Sequence, residues 1–348
     1  MSMGFHVTLA TLCDSVQPNE MRVFSGPRFD LLVGHYRPRH RARDRFRSER
    51  DAIRQALDSA RPDVATAHWS YEYALGAIDS GVPTLVTVHD VPRVVTRLQP
   101  TPYRLMRWWM HRETMARASL VVFNSPYTRD QVNHHRWRAA DVVPNALPSA
   151  SWTAGLKAAS GPDSVSPVFV SVNNGFGRLK NVRTLVESFA LVKAALPGAT
   201  LRLVGSGYER GGPAEAWATR ASLSAGLQFM GPLEYSTVLR VVEDADIMIH
   251  PSLEESFGMT LVEAISVGTP VIGGERSGAV PWVLHEGRAG LLVDVRSPKS
   301  IAGAMMRLSQ DGDLWRSLRS TAHALCKERF SMDRVALKYV RLLEGLLV

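Results

Sequence analysis

The chain has 348 residues, enough for two domains of ordinary size, and 45% of them are hydrophobic, which suits a packed globular protein. Two cysteines, Cys13 and Cys326, exclude a disulfide scaffold and a thiolate metal cage. The formal charge of +8 is uneven: residues 1–145 hold 20 Arg, no Lys and 14 Asp or Glu, a balance of +6. A basic first half suits an acidic partner such as anionic lipid, nucleic acid or a phosphorylated substrate; a solvated arginine-rich surface explains it as well.

Apolar runs alternate with helical patterns along the chain. Residues 61–68, 83–90 and 120–125 read as strands, and 140–145 as a short fourth. Between them, Tyr103-Arg-Leu-Met-Arg-Trp-Trp-Met-His-Arg112 mixes bulky apolar and basic residues on a helix. Such a helix can lie on a membrane surface or bury its tryptophans in a core. Residues 148–167, rich in Ser, Ala, Gly and Pro, read as a linker. Strands follow at 168–172, 200–204, 227–230, 246–250, 270–273 and 290–293, with a helix at 182–195 and an amphipathic helix from 332. Strands alternating with helices of this length predict parallel sheets covered on both faces, with ligands at the carboxyl ends of the strands.

The most informative stretch is His250-Pro-Ser-Leu-Glu-Glu-Ser-Phe-Gly-Met-Thr-Leu-Val-Glu263. Glu255 and Glu263 stand eight positions apart around a strand-to-helix turn. Ser256, Phe257, Gly258, Met259 and Thr260 place backbone amides at a helix start. Such an end favours an anion, because its first N–H groups lack partners and the dipole is positive there. A carboxylate on each side of a phosphate cradle suits a ligand with a diphosphate in its middle and hydroxyl-rich groups at both ends. Glu254, by contrast, suits simple compensation of the helix dipole. Lys180 closes Asn173-Asn-Gly-Phe-Gly-Arg-Leu-Lys180, a second glycine-loosened turn before a helix, with Arg178 as the nearest other cation. Gly205-Ser-Gly207 follows a strand; alone it is only a tight turn. His68 and His89 each lie at or beside the end of a strand, and Asn124 lies near another.

The segment around the paired glutamates resembles the E-x7-E signature of retaining glycosyltransferases of family 4, which have the GT-B fold. The resemblance runs from about Phe5 to the C-terminus and is most specific over residues 169–293. It implies an α/β protein of two Rossmann-like domains facing a cleft, with an acceptor-binding domain at 1–150. A nucleotide-sugar-binding domain at 166–330 and a returning C-terminal helix at 331–348 complete it. It gives Glu255, His89 and Lys180 catalytic places and gives the donor Arg178, Gly205, Gly207, Gly231, residues 256–260 and Glu263. His68 and Asn124 fall on the acceptor side. Gly175 stands where the family has a diphosphate-binding Arg, so Arg178 is the candidate substitute. The segment Met3-Gly-Phe-His-Val-Thr-Leu resembles the family's second strand, so the first strand, its glycine-rich loop and its helix are expected to lie outside this chain.

The expected function is transfer of a sugar, with retention, from a UDP- or GDP-linked donor to a hydroxyl acceptor in cell-surface glycan or glycolipid synthesis. No metal and no separate cofactor are expected. The partners are the nucleotide sugar, a glycan or lipid-linked acceptor and an anionic membrane surface, with no nucleic acid. The expected place is the cytoplasm, at the inner membrane face. A same-fold sugar-nucleotide epimerase and a non-catalytic nucleotide- or glycan-binding protein are the rivals. The paired glutamates around Phe257-Gly258 argue against the epimerase, which a transferred sugar would exclude, and donor binding without turnover would support the binding protein.

Overall fold

A computed structural model describes residues 4–152 and 161–347. The chain divides into two compact units, Met1–Val143 with Leu337–Val348, and Pro144–Ala336.

In the first unit, strands β1 (Val7–Cys13), β2 (Met21–Gly26) and β3 (Phe29–His35) precede helix α1 (Arg47–Ala60). Then come β4 (Ala65–His68), α2 (Glu72–Asp79), β5 (Thr84–Val88), α3 (Pro92–Leu98), α4 (Pro102–Arg117), β6 (Leu120–Phe123) and α5 (Pro126–Val132). They form two separate three-stranded sheets, β1-β3-β2 and β4-β5-β6. The second is parallel, and its central strand β5 is buried at every position. Burial on both faces explains its near-continuous apolar run. The first sheet departs from the all-parallel expectation, because β2 and β3 form an antiparallel hairpin in which Gly26 pairs with Phe29. The expected strand at 140–145 reduces to a single bridge between Phe123 and Val142. Proline at the first turn and a capping hydroxyl start α4 and α5: Thr101 Oγ1 accepts from Arg104 N at 3.2 Å, and Ser125 Oγ from Thr128 N at 3.1 Å.

The second unit continues with β7 (Val168–Val172), α6 (Val182–Ala195), β8 (Thr200–Val204), α7 (Pro213–Arg220), β9 (Leu227–Gly231), α8 (Tyr235–Glu243) and β10 (Ile247–His250). After these come α9 (Met259–Ser266), β11 (Val271–Gly274), α10 (Val280–Val283), β12 (Leu291–Val293), α11 (Pro298–Gln310) and α12 (Gly312–Phe330), and then α13 (Met332–Glu344), which belongs to the first unit from Leu337 onward. The six strands lie in the order β12-β11-β10-β7-β8-β9, all parallel. Alternate residues enter two cores. Phe169, Ile247, Ile249 and Ile272 join the core under α6 and α11. Val170, Met248 and Val271 join the core under α9 and α12. The chain runs outward from β7 through β8 to β9, then returns to lay β10 on the other flank of β7. The junction of β7 and β10 is therefore the switch point, where a doubly wound fold places its ligands.

The expected linker at 148–167 is not all linker. Leu147 N donates to Phe330 O at 2.9 Å, and residues Ser149–Trp152 form a 3₁₀ turn. Trp152 is 1% exposed and meets His323 edge-on at 5.5 Å. The rest of that segment up to residue 160 lies outside the described residues. Truncating Trp152 removes a fully buried indole from the second unit, so Trp152→Ala is expected to cost about 3–5 kcal/mol. Urea unfolding followed by circular dichroism measures this, and a cost below about 1 kcal/mol would return the residue to a linker role.

Candidate functional site

The two loops at the switch point carry the paired charges. The loop after β7 ends in the 3₁₀ turn Arg178–Lys180. Asn181 follows with φ 53°, and its side-chain amide donates to Pro251 O at 3.1 Å and Val295 O at 2.7 Å. Leu253 N donates to Leu179 O at 2.9 Å. These bonds clamp the loop after β7 onto the loop after β10. As a result Lys180 Nζ lies 2.6 Å from Glu255 Oε1.

His250, the last residue of β10 and 2% exposed, holds the other side of that carboxylate. Its Nε2 is 3.2 Å from Glu255 Oε1, and its Nδ1 is 3.3 Å from Thr260 Oγ1. Burial alone would push the Glu255 carboxyl up. Hydrogen bonding and charge from His250, then from Lys180, outweigh burial and hold the carboxyl down at about 2. Glu255 is therefore a part-buried carboxylate, its side chain 16% exposed, whose neighbours favour the ionised form.

Glycines let the surrounding backbones close in. Gly258 caps α9 with φ 91°, after Phe257, which is 3% exposed and packs edge-on against Phe330 at 5.3 Å. Gly278 has φ 64°, and a Cβ there would fall 2.2 Å from Glu255 O. Gly205 has φ 120°, and a Cβ there would fall 1.8 Å from Asn173 O. Gly205 N donates to Gly231 O at 2.8 Å, and Gly175 N to Ser206 O at 2.8 Å. The turn after β8 thus sits flat against the loop that carries Lys180. Arg178 is exposed and makes no ion pair among the described residues. Glu263 faces Tyr235; burial pushes its carboxyl up, opposed by that hydroxyl.

His68 and His89 meet inside the first unit. His68 Nδ1 is 2.8 Å from His89 Nε2, and Trp69 tilts over His89 at 5.3 Å. Burial lowers the His68 pKa below the usual histidine value. Asn124 is 1% exposed; its amide donates to His89 O at 3.3 Å and its Oδ1 accepts from Thr128 at 2.8 Å. Sequence reasoning gave no role to His250, Asn181 or Tyr235. A lone His at the end of a buried strand carries no periodic signal; only its place beside the β10 loop marked it.

Comparison with known proteins fits this geometry. A model for Glycosyltransferase Family 4 matches residues 1–178, and one for glycosyl transferases group 1 matches residues 156–324. The chain belongs to Glycosyltransferase Family 4. Relatives of this Family 4 chain include an N-acetyl-alpha-D-glucosaminyl L-malate synthase of Bacillus anthracis, 24% identical over 93% of the chain and 81% of that protein. A D-inositol 3-phosphate glycosyltransferase of Corynebacterium urealyticum is 31% identical, over 49% of this chain and only 41% of its own length. The lipopolysaccharide core glycosyltransferase LpsE of Rhizobium meliloti is 27% identical over 64% of the chain and 63% of its own length. Sucrose-phosphate synthase from Thermosynechococcus elongatus superposes with a TM-score of 0.79 at 19% identity, over 99% of this chain and 90% of that one. The HepE protein of Anabaena, solved with UDP and glucose, gives 0.73 at 17% over 98% and 100%. The fold is GT-B. No helix among the described residues is long and apolar enough to cross a membrane. No group of three or more His, Cys, Asp or Glu among them is placed to hold a metal.

The depressed Glu255 carboxyl makes a stability statement. A carboxylate held below its ordinary value near 4.5 stabilises the fold above that pH, and the contribution fades as pH falls toward about 2. Glu255→Gln removes it, so the stability of the variant is expected to fall less steeply over that window, by roughly 1–3 kcal/mol. Urea midpoints measured at pH 5 and at pH 3 check this. Equal acid sensitivity in both proteins would mean that the carboxylate is not held ionised by its neighbours.

Proposed function

We propose that this chain transfers a glycosyl group from a nucleoside-diphosphate sugar to a hydroxyl acceptor, with retention at the anomeric carbon. The observation that carries the reading is the Lys180–Glu255–His250 cluster, which sits where two loops diverge at the switch point of a parallel sheet. In the transfer the bond from the anomeric carbon to the diphosphate oxygen breaks, and the bond to the acceptor oxygen forms on the same face. The acceptor proton passes to the departing diphosphate. Negative charge therefore grows on the diphosphate, and Lys180, Arg178 and the first amides of α9 are the groups to meet it. No metal is required if these charges balance the leaving group. Glu255 takes the donor sugar's hydroxyls and favours its developing positive charge, while Glu263 takes the ribose hydroxyls. In the first unit His89 serves the transfer, and His68 and Asn124 act as positioning residues through their contacts with it.

The named relatives differ in what they glycosylate: an inositol phosphate, malate and a lipopolysaccharide core. The family therefore does not fix the acceptor, and a glycan or lipid-linked hydroxyl in surface-glycan synthesis is the proposed one. UDP and UDP-glucose occupy the Anabaena neighbour, which makes UDP-linked sugars the first donors to test, followed by GDP-linked ones. Two free cysteines suit a reducing compartment, so the proposed place is the cytoplasm. The basic first half and exposed Leu105 and Trp109 on α4 support an anionic membrane face as the site of work.

The reading is tested by release of nucleoside diphosphate and by the anomeric configuration of the product. Lys180→Met is expected to lower kcat roughly 10²–10³-fold, and Glu255→Gln to reduce transfer to background, both with native circular dichroism. Chelation by EDTA is expected to leave the rate unchanged. Full transfer by Glu255→Gln, or an inverted product, would overturn the assignment. For the membrane partner, co-sedimentation with phosphatidylglycerol vesicles but not with neutral phosphatidylcholine vesicles is expected. Equal recovery with both would remove that partner.

A further inference from the structure

The first unit contains a cavity of about 390 Å³ with a mixed apolar and basic lining, which the donor chemistry leaves unused. It lies between the start of α3, one face of α4 and the end of α5, and Arg93, Trp108, His111, Arg112, Met115 and His134 line it. Its volume falls within the roughly 300–1,000 Å³ of small-molecule pockets, more than a bare ion needs.

The lining is basic on every side. No lining residue is acidic. The carboxylates that neighbour these segments in sequence are committed elsewhere. Asp90, before Val91, takes the Tyr71 hydroxyl at 2.6 Å. Glu113, after Arg112, holds Arg117 at 2.8 Å and Arg50 at 3.6 Å. Asp130, before Gln131, holds Arg129 at 3.0 Å. Among the described residues neither Arg93 nor Arg112 makes an ion pair, and both are exposed. His134 Nδ1 is buried and makes no hydrogen bond. Behind it His111 gives its Nδ1 to the Ser70 hydroxyl at 2.7 Å, so that ring is fixed.

The local field is visible in the histidines. Burial lowers the His134 pKa, and the positive neighbours His135, Arg136 and Arg112 lower it further. Burial pushes His111 down to about 4, with His134 adding to the shift. Cations gathered around a concave, partly dehydrated site repel one another, and an entering anion removes that repulsion. Trp108 and Met115 add an apolar wall, which accommodates the carbon skeleton of a ligand rather than an isolated ion.

We propose that this cavity binds a small phosphorylated molecule, its phosphate meeting Arg93, Arg112 and His134 and its carbon ring lying on Trp108. This site is separate from the donor reading and does not depend on it, because every residue used belongs to the first unit. The ligand is a phosphate ester of a small ring compound, and inorganic phosphate serves as a probe of its phosphate contacts alone.

Calorimetry on the full chain tests it, with inorganic phosphate and glucose 6-phosphate as probes. All proteins carry Lys180→Ala, so that binding at the donor loops does not enter. Both probes, or the ester alone, are expected to bind with Kd below about 10 mM. Adding Arg93→Ala and Arg112→Ala is expected to weaken binding at least tenfold. A Trp108→Ala change is expected to weaken the ester more than inorganic phosphate. In the parent protein the His134 imidazole NMR signal is expected to titrate at higher pH once the ester is bound. No binding of either probe up to about 10 mM, or equal binding in the arginine variant with native circular dichroism, would overturn the proposal.

Discussion

The strand order of the second sheet is the constraint on which the site depends. Because β10 returns to the flank of β7 opposite β8, the loops leaving β7 and β10 emerge side by side and diverge. The paired charges of the candidate donor site, Lys180 and Glu255, hang on those two loops. Asn181 bridges them through Pro251 O, and Leu253 ties its backbone to Leu179. The lysine and the glutamate are 75 residues apart in sequence, yet they touch because the sheet's topology leaves their loops no other place.

Burying that contact is costly in itself. A carboxylate removed from water loses hydration that a single ion pair rarely restores in full. Glu255 is therefore given two partners of different kinds, a mobile ammonium and a fixed imidazole. The distinction matters for chemistry. His250 sits at a strand end, 2% exposed, and cannot leave; Lys180 is on a short turn and its side chain is 24% exposed. If an anion enters, Lys180 can divide its three donors between it and Glu255, while His250 keeps the carboxylate ionised. A site organised this way meets growing negative charge without exposing an unpaired buried carboxylate.

Much of the second unit was legible in the sequence. The strands at 168–172 and 200–204 and the helix at 182–195 match the observed elements residue for residue. Strands buried on both faces write their apolar character continuously, and helices between them end at recognisable turns. The hairpin of β2 and β3 was not legible, because Val23 and Phe24 face outward at 55% and 57% exposure and so break the expected inward pattern. Trp152 was lost in a Ser- and Ala-rich stretch, since composition speaks for the segment and not for the one residue that packs. The resemblance gave Lys180 and Glu255 places in one site, but their direct contact and the contacts of His250 and Asn181 are tertiary facts. Each is a single polar residue whose partner is set by strand order and not by spacing.

The two units treat charge in opposite ways, and this separates fold from function. In the first unit most carboxylates are consumed in arginine networks: Glu49 with Arg37, Asp79 with Arg50 and Arg117, Glu72 with Arg107. Several of these acids are buried or nearly so, and an arginine fork supplies the multiple donors that a dehydrated carboxylate requires. Part of the arginine excess is thus structural and implies no partner. Two of the arginines left outside that pairing, Arg93 and Arg112, border one cavity whose lining contains no acid. Net charge alone could not distinguish a solvated surface from a binding site. The distinction comes from where the carboxylates go: an arginine with a buried acid beside it holds the fold, and one facing an acid-free hollow is available to a ligand.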